Sequence, residues 1–142
     1  LARNLLQDVL RRWYSAHPTI LANVKALVAN AAALELAVRA DDIALVGASL
    51  DAYWSQKKLM CDAEPPSVTR MLAKLRPLCH GASLAGAGGG GFMIIVTRDS
   101  DARAAVEAAL AGEPCTVHAV AIHEGGLQTT IGDGFGDDLA KK

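Results

Sequence analysis

The sequence predicts an α+β domain in which helices pack on one face of a small antiparallel sheet. Apolar residues recur at helical spacing up to about Arg76. A near-continuous apolar run, Phe92–Thr97, then follows a glycine-rich segment, and apolar and polar residues alternate over Thr116–Ile122. The expected order is therefore several helices, a strand, the glycine-rich segment, a strand, a helix and a strand.

Four helices are expected in the first half of the chain. The first extends from Leu1 to about Ser15 and ends at His17-Pro18, because a residue before proline avoids helical geometry. The others are a second helix with apolar residues from Leu21 to Val38, a third with Asp41 as its N-cap and an apolar stripe from Ile43 to Cys61, ended by the turn Glu64-Pro65-Pro66, and a fourth from Ser67 to Arg76.

The second half of the chain is expected to form the sheet. The predicted elements are strands over Ala82–Ala85 and Phe92–Thr97, a helix over Asp101–Ala111 capped by Asp99 or Ser100, a strand over Thr116–Ile122 and an edge strand over Leu127–Ile131. Residues 133–142 are rich in glycine, aspartate and lysine, which predicts a disordered tail.

Composition and charge favour an intracellular domain. The 142 residues include 14 Lys and Arg against 15 Asp and Glu, and no basic stripe appears, so nucleic acid is not an expected partner. No membrane segment is expected from the hydropathy pattern. The wide spacing of Cys61, Cys79 and Cys115 argues against a disulfide framework and a metal site, which favours a reduced, cytoplasmic protein. Because the chain starts with Leu1 and is helical at once, we expect it to be a piece of a longer polypeptide.

The most informative segment is glycine-rich. Five of the six residues from Gly86 to Gly91 are glycine, and such density is typical of a backbone that a ligand must approach closely. Consecutive N–H groups can bind phosphate. The residues match G-x-G-x-x-G, but they precede a strand instead of a helix, which disfavours a dinucleotide site; no lysine follows, which excludes a Walker A loop. A plain hairpin connection stays an alternative, although it needs fewer glycines.

Lys57 lies within the apolar stripe of the third predicted helix. Since an ammonium group on an apolar face needs a partner or a route to water, two interpretations remain open. The lysine could extend to solvent near the helix C-terminus, where the helix dipole favours cations. Alternatively it could meet an anionic or hydroxyl-rich ligand at the rim of a site, which the neighbouring Tyr53 and Trp54 favour slightly.

No catalytic residue and no metal ligand is predicted from spacing. His80, His118 and His123 are interpreted as structural, and no serine, histidine and aspartate set can be assigned. From the residues alone, the chain is an intracellular α+β domain with one phosphate-compatible loop and one lysine directed toward the same place.

Three segments resemble the GHMP small-molecule kinases. The segment His80–Asp99 (HGASLAGAGGGGFMIIVTRD) resembles their third conserved motif, and Tyr53–Met60 (YWSQKKLM) resembles the Trp-x-x-Lys-Lys segment of the sugar-kinase branch. The opening Leu1–Tyr14 (LARNLLQDVLRRWY) is similar to the start of the C-terminal region of L-fucose kinases. The three segments occur in the family's order.

The resemblance implies a ferredoxin-like GHMP-kinase C-terminal domain over residues 1–132 with additional N-terminal helices. In the family an N-terminal lobe supplies the Ser-Ser phosphate loop and usually the catalytic aspartate, neither of which occurs here. The chain would thus be the C-terminal fragment of a fucokinase-like enzyme, with no catalytic residue of its own and inactive alone. By matching position, the implied substrate- and phosphate-binding residues are Gly86, Ala87, Gly88, Gly89, Gly90, Gly91 and Lys57.

The implied reaction is transfer of the γ-phosphoryl group of ATP, with Mg²⁺, to L-fucose, giving fucose 1-phosphate. Neither ATP nor Mg²⁺ is expected to be bound to the fragment alone. The implied partners are the missing N-terminal lobe and a small sugar, and exposed apolar surface could pair two fragments. Three alternatives stay open: a kinase for heptose or galactose, a non-catalytic ferredoxin-like ligand-binding or regulatory module, and an interaction domain that docks through Trp13 and Tyr14.

Overall fold

The computed structural model describes residues 2–60, 64–86, 91–121 and 125–126. Within these ranges the chain forms helices and one hairpin, and the expected α+β class is confirmed. The elements in chain order are α1 (Ala2–Tyr14), α2 (Pro18–Arg39), α3 (Ile43–Met60), α4 (Pro66–Leu75), β1 (Cys79–Leu84), β2 (Met93–Thr97) and α5 (Arg103–Ala109).

The sheet is an antiparallel hairpin of β1 and β2. Leu84 pairs with Met93 and Ala82 with Ile95, and an irregularity in register lies between Cys79 and Gly81. One more backbone hydrogen bond, from Ala85 N to the carbonyl oxygen of Phe92 at 2.8 Å, extends the pairing up to the glycine-rich segment. The first strand thus begins earlier than the predicted Ala82, because pairing with β2 recruits residues whose own β propensity is low.

The starts of α2 and α3 show how local sequence sets helix boundaries. His17 is extended, with φ −60° and ψ 121°, and Pro18 follows as the first residue of α2, as the His-Pro pair predicts. The N-cap expected at Asp41 is wrong by one residue. The Asp42 carboxylate accepts a hydrogen bond from Leu45 N at 2.9 Å, whereas Asp41 has a φ of 54° and forms the turn before the helix.

The side of α3 that is buried matches the predicted stripe at Trp54 but not at Ile43, and it also includes small residues. Ile43 is 50% exposed, and the buried residues of α3 are Gly47, Ser49 and Trp54. Small residues bury because α3 approaches its neighbours closely: the backbone of Gly47 lies against Gly81 of β1. A stripe of large apolar residues identifies a helix face only where the packing distance has room for them.

Helix α2 packs along α3 through asparagine side chains. Asn23 donates to the carbonyl oxygen of Gln56 at 2.8 Å, and Asn30 donates to that of Ser49 at 2.9 Å.

Contrary to expectation from the sequence, the 22 residues of α2 are long and apolar enough to cross a membrane by length and composition. This observation is weak by itself, since core helices of soluble proteins and signal sequences meet the same criterion.

Two clusters of buried side chains hold α3, α4 and α5 on the hairpin. Leu84, Met93 and Ile95 share one face of the sheet and all contribute to these clusters. The cluster at the start of β1 contains Leu75, Cys79, Ala102, Val106 and Leu110, and the cluster at the end of β1 contains Trp54, Val68 and Leu84.

Beyond β2 the structure differs from the predictions. Helix α5 is shorter than Asp101–Ala111, and its N-cap is Ala102, without a side-chain cap from Asp99 or Ser100. Residues 116–121 form no strand, and Val120 is 89% exposed, because alternation makes a strand only where a neighbouring edge accepts its hydrogen bonds. Ile122 and the predicted strand and tail over residues 127–142 lie outside the described residues.

Candidate functional site

The glycine-rich segment connects β1 to β2 at one end of the hairpin. Of its residues the structure describes Gly86 and Gly91, whereas Ala87, Gly88, Gly89 and Gly90 lie outside the described residues. Gly86 has a φ of 73° and Gly91 a φ of 104°, values that residues with a side chain rarely adopt. A Cβ atom at either position would have no neighbouring atom within 4 Å. Backbone conformation and not crowding therefore accounts for glycine at both ends of the segment.

Lys57 comes from α3 to the beginning of this segment. Its ammonium group donates a hydrogen bond to the carbonyl oxygen of Gly86, which is 29 residues further along the chain. The two residues that the sequence singled out independently are thus in contact. Lys57 lies in the last turn of α3, and the contact exists because α3 packs along β1 and ends where the hairpin turns.

Two aromatic rings flank the Lys57 ammonium group. The Nζ atom lies 5.6 Å from the centre of the Tyr53 ring and 5.8 Å from that of the Trp54 ring. Both distances are within the ~6 Å range of cation–π attraction. Tyr53 and Trp54 precede Lys57 by four and three residues, the spacings at which helical side chains are neighbours. The helix itself therefore assembles this group.

Glu64 completes the site and was missed by sequence reasoning. Its carboxylate accepts hydrogen bonds from Trp54 Nε1 at 2.7 Å and Thr69 Oγ1 at 2.6 Å, and it pairs with Lys58 Nζ at 3.2 Å. Burial raises the pKa of Glu64, but the hydrogen bonds from Thr69, Trp54 and Lys58 outweigh it, so the pKa lies below its ordinary value. A buried indole N–H needs an acceptor, and that requirement was the available signal for a carboxylate nearby.

The remaining candidate residues lie elsewhere. His80 is in β1, where its Nδ1 atom lies 3.5 Å from the Arg98 guanidinium, and His118 contacts the Thr116 hydroxyl at 3.1 Å. His123 lies outside the described residues. In the part of the chain that the structure describes, no three His, Cys, Asp or Glu side chains are grouped as metal ligands.

The arrangement combines a fixed positive charge with exposed backbone. The ammonium group of Lys57 holds the first residue of a segment whose described ends have open space around them. Backbone of this kind can approach a bulky anionic substrate, and the nearby cation favours negative charge there. These are properties of a site that can position a reacting group.

Comparison with known proteins assigns the chain to a family. The family model described as GHMP kinases C terminal matches residues 30–115, which include Lys57 and the whole glycine-rich segment. No curated protein and no solved structure matches the chain significantly. GHMP kinases are ATP-dependent phosphotransferases in which this domain accompanies an N-terminal kinase domain. Since the match covers more than half of the 142 residues, the chain belongs to the GHMP kinases and carries their C-terminal domain.

Proposed function

We propose that the chain is the C-terminal lobe of a sugar kinase that transfers the γ-phosphoryl group of ATP to the anomeric hydroxyl of L-fucose, giving fucose 1-phosphate. The observation that carries this proposal is the contact between Lys57 and Gly86, which joins two of the three segments of the family resemblance in one site. The choice of L-fucose depends on the segments Leu1–Tyr14 and Tyr53–Met60, which resemble the fucokinase and sugar-kinase branches.

In this proposal the glycine-rich segment approaches the substrates with its backbone. Phosphoryl transfer requires in-line positioning of donor and acceptor and stabilisation of the charge on the transferring group. Segment Gly86–Gly91 would lie beside the sugar and the phosphate groups, with backbone N–H groups as donors. Lys57 would fix the beginning of that segment and add a positive charge on the sugar side.

The activating groups belong to the N-terminal kinase lobe in this proposal. Neither a Ser-Ser phosphate loop nor an assignable catalytic aspartate occurs in the 142 residues, and we assign no base to the described residues. We therefore expect the chain alone to have no kinase activity and to bind ATP weakly. The wide spacing of the cysteines favours a cytoplasmic location, which we include in the proposal.

A sugar panel tests the proposed function. The full-length polypeptide is incubated with ATP, Mg²⁺ and L-fucose, D-galactose or a heptose in turn, and ADP release is measured. We expect L-fucose to give the highest kcat/KM and a product phosphorylated at the anomeric hydroxyl. Preference for galactose or heptose would overturn the sugar while keeping the kinase. ADP release that no sugar stimulates would instead favour the non-catalytic module.

A further inference from the structure

Trp54 is the described residue that links the Lys57 site to the connection between α3 and α4. Its side chain is 5% exposed and packs in a cluster with Val68 of α4 and Leu84 of β1. These neighbours of the ring are apolar, and the indole N–H donates a hydrogen bond to the Glu64 carboxylate at 2.7 Å. The ring is therefore fixed by packing and by one hydrogen bond, which together leave it little rotational freedom.

Glu64 contacts Lys58 as well as the ring. The single carboxylate contacts Trp54, Thr69 and Lys58, and its side chain is 14% exposed. Lys58 turns toward Glu64, whereas Lys57, the preceding residue, turns toward Gly86. The two ammonium groups diverge because successive helical side chains point about 100° apart and each has its own acceptor.

The three contacts form a continuous path from Glu64 to the glycine-rich segment. Glu64 binds the Trp54 N–H, the Trp54 ring lies 5.8 Å from the Lys57 ammonium group, and that group binds the Gly86 carbonyl oxygen. Movement of the ring would remove one wall of the space that Lys57 occupies. The Lys57 ammonium group would then no longer be held in position to donate to the Gly86 carbonyl oxygen.

We propose that Glu64 is a positioning residue that acts through Trp54 to hold Lys57 on Gly86 and so sets the start of the glycine-rich segment. The inference rests on the proposed function only for its catalytic consequence, since the tethering itself is a property of the fold. Glu64 does not touch the reacting groups in this proposal. Its effect reaches them through the backbone conformation at Gly86.

Hydrogen–deuterium exchange tests the tethering without reference to activity. We compare the chain carrying Glu64→Ala, Glu64→Gln or Trp54→Phe with the unaltered chain, and follow peptides that contain Gly86. We expect Glu64→Ala to speed exchange there several-fold and Glu64→Gln, which retains an acceptor for the indole, to restore part of the protection. Trp54→Phe keeps an aromatic ring without the N–H and should resemble Glu64→Ala. The control is Glu35→Gln, an exposed carboxylate of α2 paired with Arg39.

Kinetics of the full-length polypeptide supply the second readout. A misplaced positioning group lowers kcat more than it raises KM, and we expect kcat of Glu64→Ala to fall by about tenfold, with Glu35→Gln unchanged. Unchanged exchange near Gly86 in both Glu64→Ala and Trp54→Phe would overturn the inference. So would faster exchange spread equally over α3 and β1, which indicates a role in general stability only. Local coupling in a protein that phosphorylates no sugar would support the tether and reject the proposed function.

Discussion

Gly47 of α3 and Gly81 of β1 face each other so closely that a Cβ atom at Gly81 would lie 1.8 Å from the carbonyl oxygen of Gly47. This contact is between two backbones, and neither can yield by changing a side-chain rotamer. It sets the distance at which α3 packs along the hairpin, and with that the place where the last turn of α3 meets the glycine-rich segment.

Replacement of Gly81 should therefore be severe. We expect Gly81→Ala to lower the free energy of unfolding by about 3 kcal/mol, because overpacking against backbone forces α3 away from β1. Urea unfolding with linear extrapolation measures the loss. Gly112→Ala is the comparison. An alanine there would be strained by the φ of 82°, but no atom lies within 4 Å of its Cβ position. A loss for Gly81→Ala no larger than the ~1 kcal/mol expected of Gly112→Ala would contradict the close contact.

The two aspartates before α3 should respond differently to substitution. Asp42→Ala removes the acceptor of the Leu45 N–H and should lower the free energy of unfolding by about 1 kcal/mol. Asp41→Gly places glycine at a φ of 54° and should change it by less than about 0.5 kcal/mol. Thermal or urea unfolding of both variants distinguishes the cap residue. The reverse ranking would place the cap at Asp41, as the sequence alone predicted.

The Lys57 ammonium group should matter for turnover. In the full-length polypeptide, Lys57→Met keeps the apolar stem but removes the donor to Gly86, and we expect kcat to fall by about tenfold or more. Lys57→Arg retains a donor, and its kcat should lie between those of Lys57→Met and the unaltered enzyme. Lys25→Met, at an exposed position of α2, serves as the matched control, with circular dichroism to verify folding. Equal kcat and KM for Lys57→Met and the unaltered enzyme would remove Lys57 from the proposed site.

Acid should weaken the connection between α4 and the segment after α5. Hydrogen bonds from Arg70 and Lys74 outweigh a smaller opposing effect of burial and lower the pKa of Glu113 from 4.5 to about 2. Because the pKa of Glu113 is lower in the folded chain than in the unfolded chain, its ion pairs stabilise the fold fully at pH values above 4.5. This contribution to the free energy of unfolding disappears as the pH falls from 4.5 through about 2. Stability measured between pH 5 and pH 2 should thus fall less steeply for Glu113→Gln than for the unaltered chain.

The steepness is the decisive quantity in that experiment. Glu64 also has a lowered pKa and contributes acid sensitivity of the same sign, so Glu113→Gln should reduce the slope without abolishing it. Identical slopes for the variant and the unaltered chain would show that Glu113 binds its two basic partners equally well when protonated.

Thiol reactivity should separate Cys79 from Cys115. Burial raises the pKa of the Cys79 thiol, and the negative charge of Asp51 raises it further against the opposing effects of Arg76 and Arg98. Since the thiolate is the reactive form, Cys79 should react slowly, whereas Cys115 is exposed. In a Cys61→Ser background, a disulfide reagent should label one thiol rapidly and the other only after unfolding. Rapid labelling of two thiols in the folded chain would contradict the burial of Cys79.

Much of the helical half was predictable, because periodicity and proline positions act locally. The His17-Pro18 break follows from backbone sterics that no distant residue alters. Sheet boundaries were less predictable. Cys79 and Gly81 become strand only because Thr97 and Val96 lie opposite them, and the alternation over Thr116–Ile122 finds no such edge in the described part of the chain.

The sequence identified residues of the candidate site but not the contacts between them. Glycine density identified the segment from Gly86 to Gly91, and the helical wheel identified Lys57 as a charge on an apolar face. That the two touch depends on the direction of α3 relative to the hairpin, which is determined by the contact between Gly47 and Gly81, 34 residues apart in the sequence. Glu64 was missed because its role depends on a buried indole whose orientation only packing defines.

The Asp51 carboxylate of α3 accepts the backbone N–H of Ala82 at 2.9 Å and pairs with Arg76 on the other side. An amide that could have recruited a neighbouring chain is thereby already satisfied, and a helix stands where another strand would attach. At Ala82 the described hairpin therefore offers no free backbone N–H to a further strand on the β1 side.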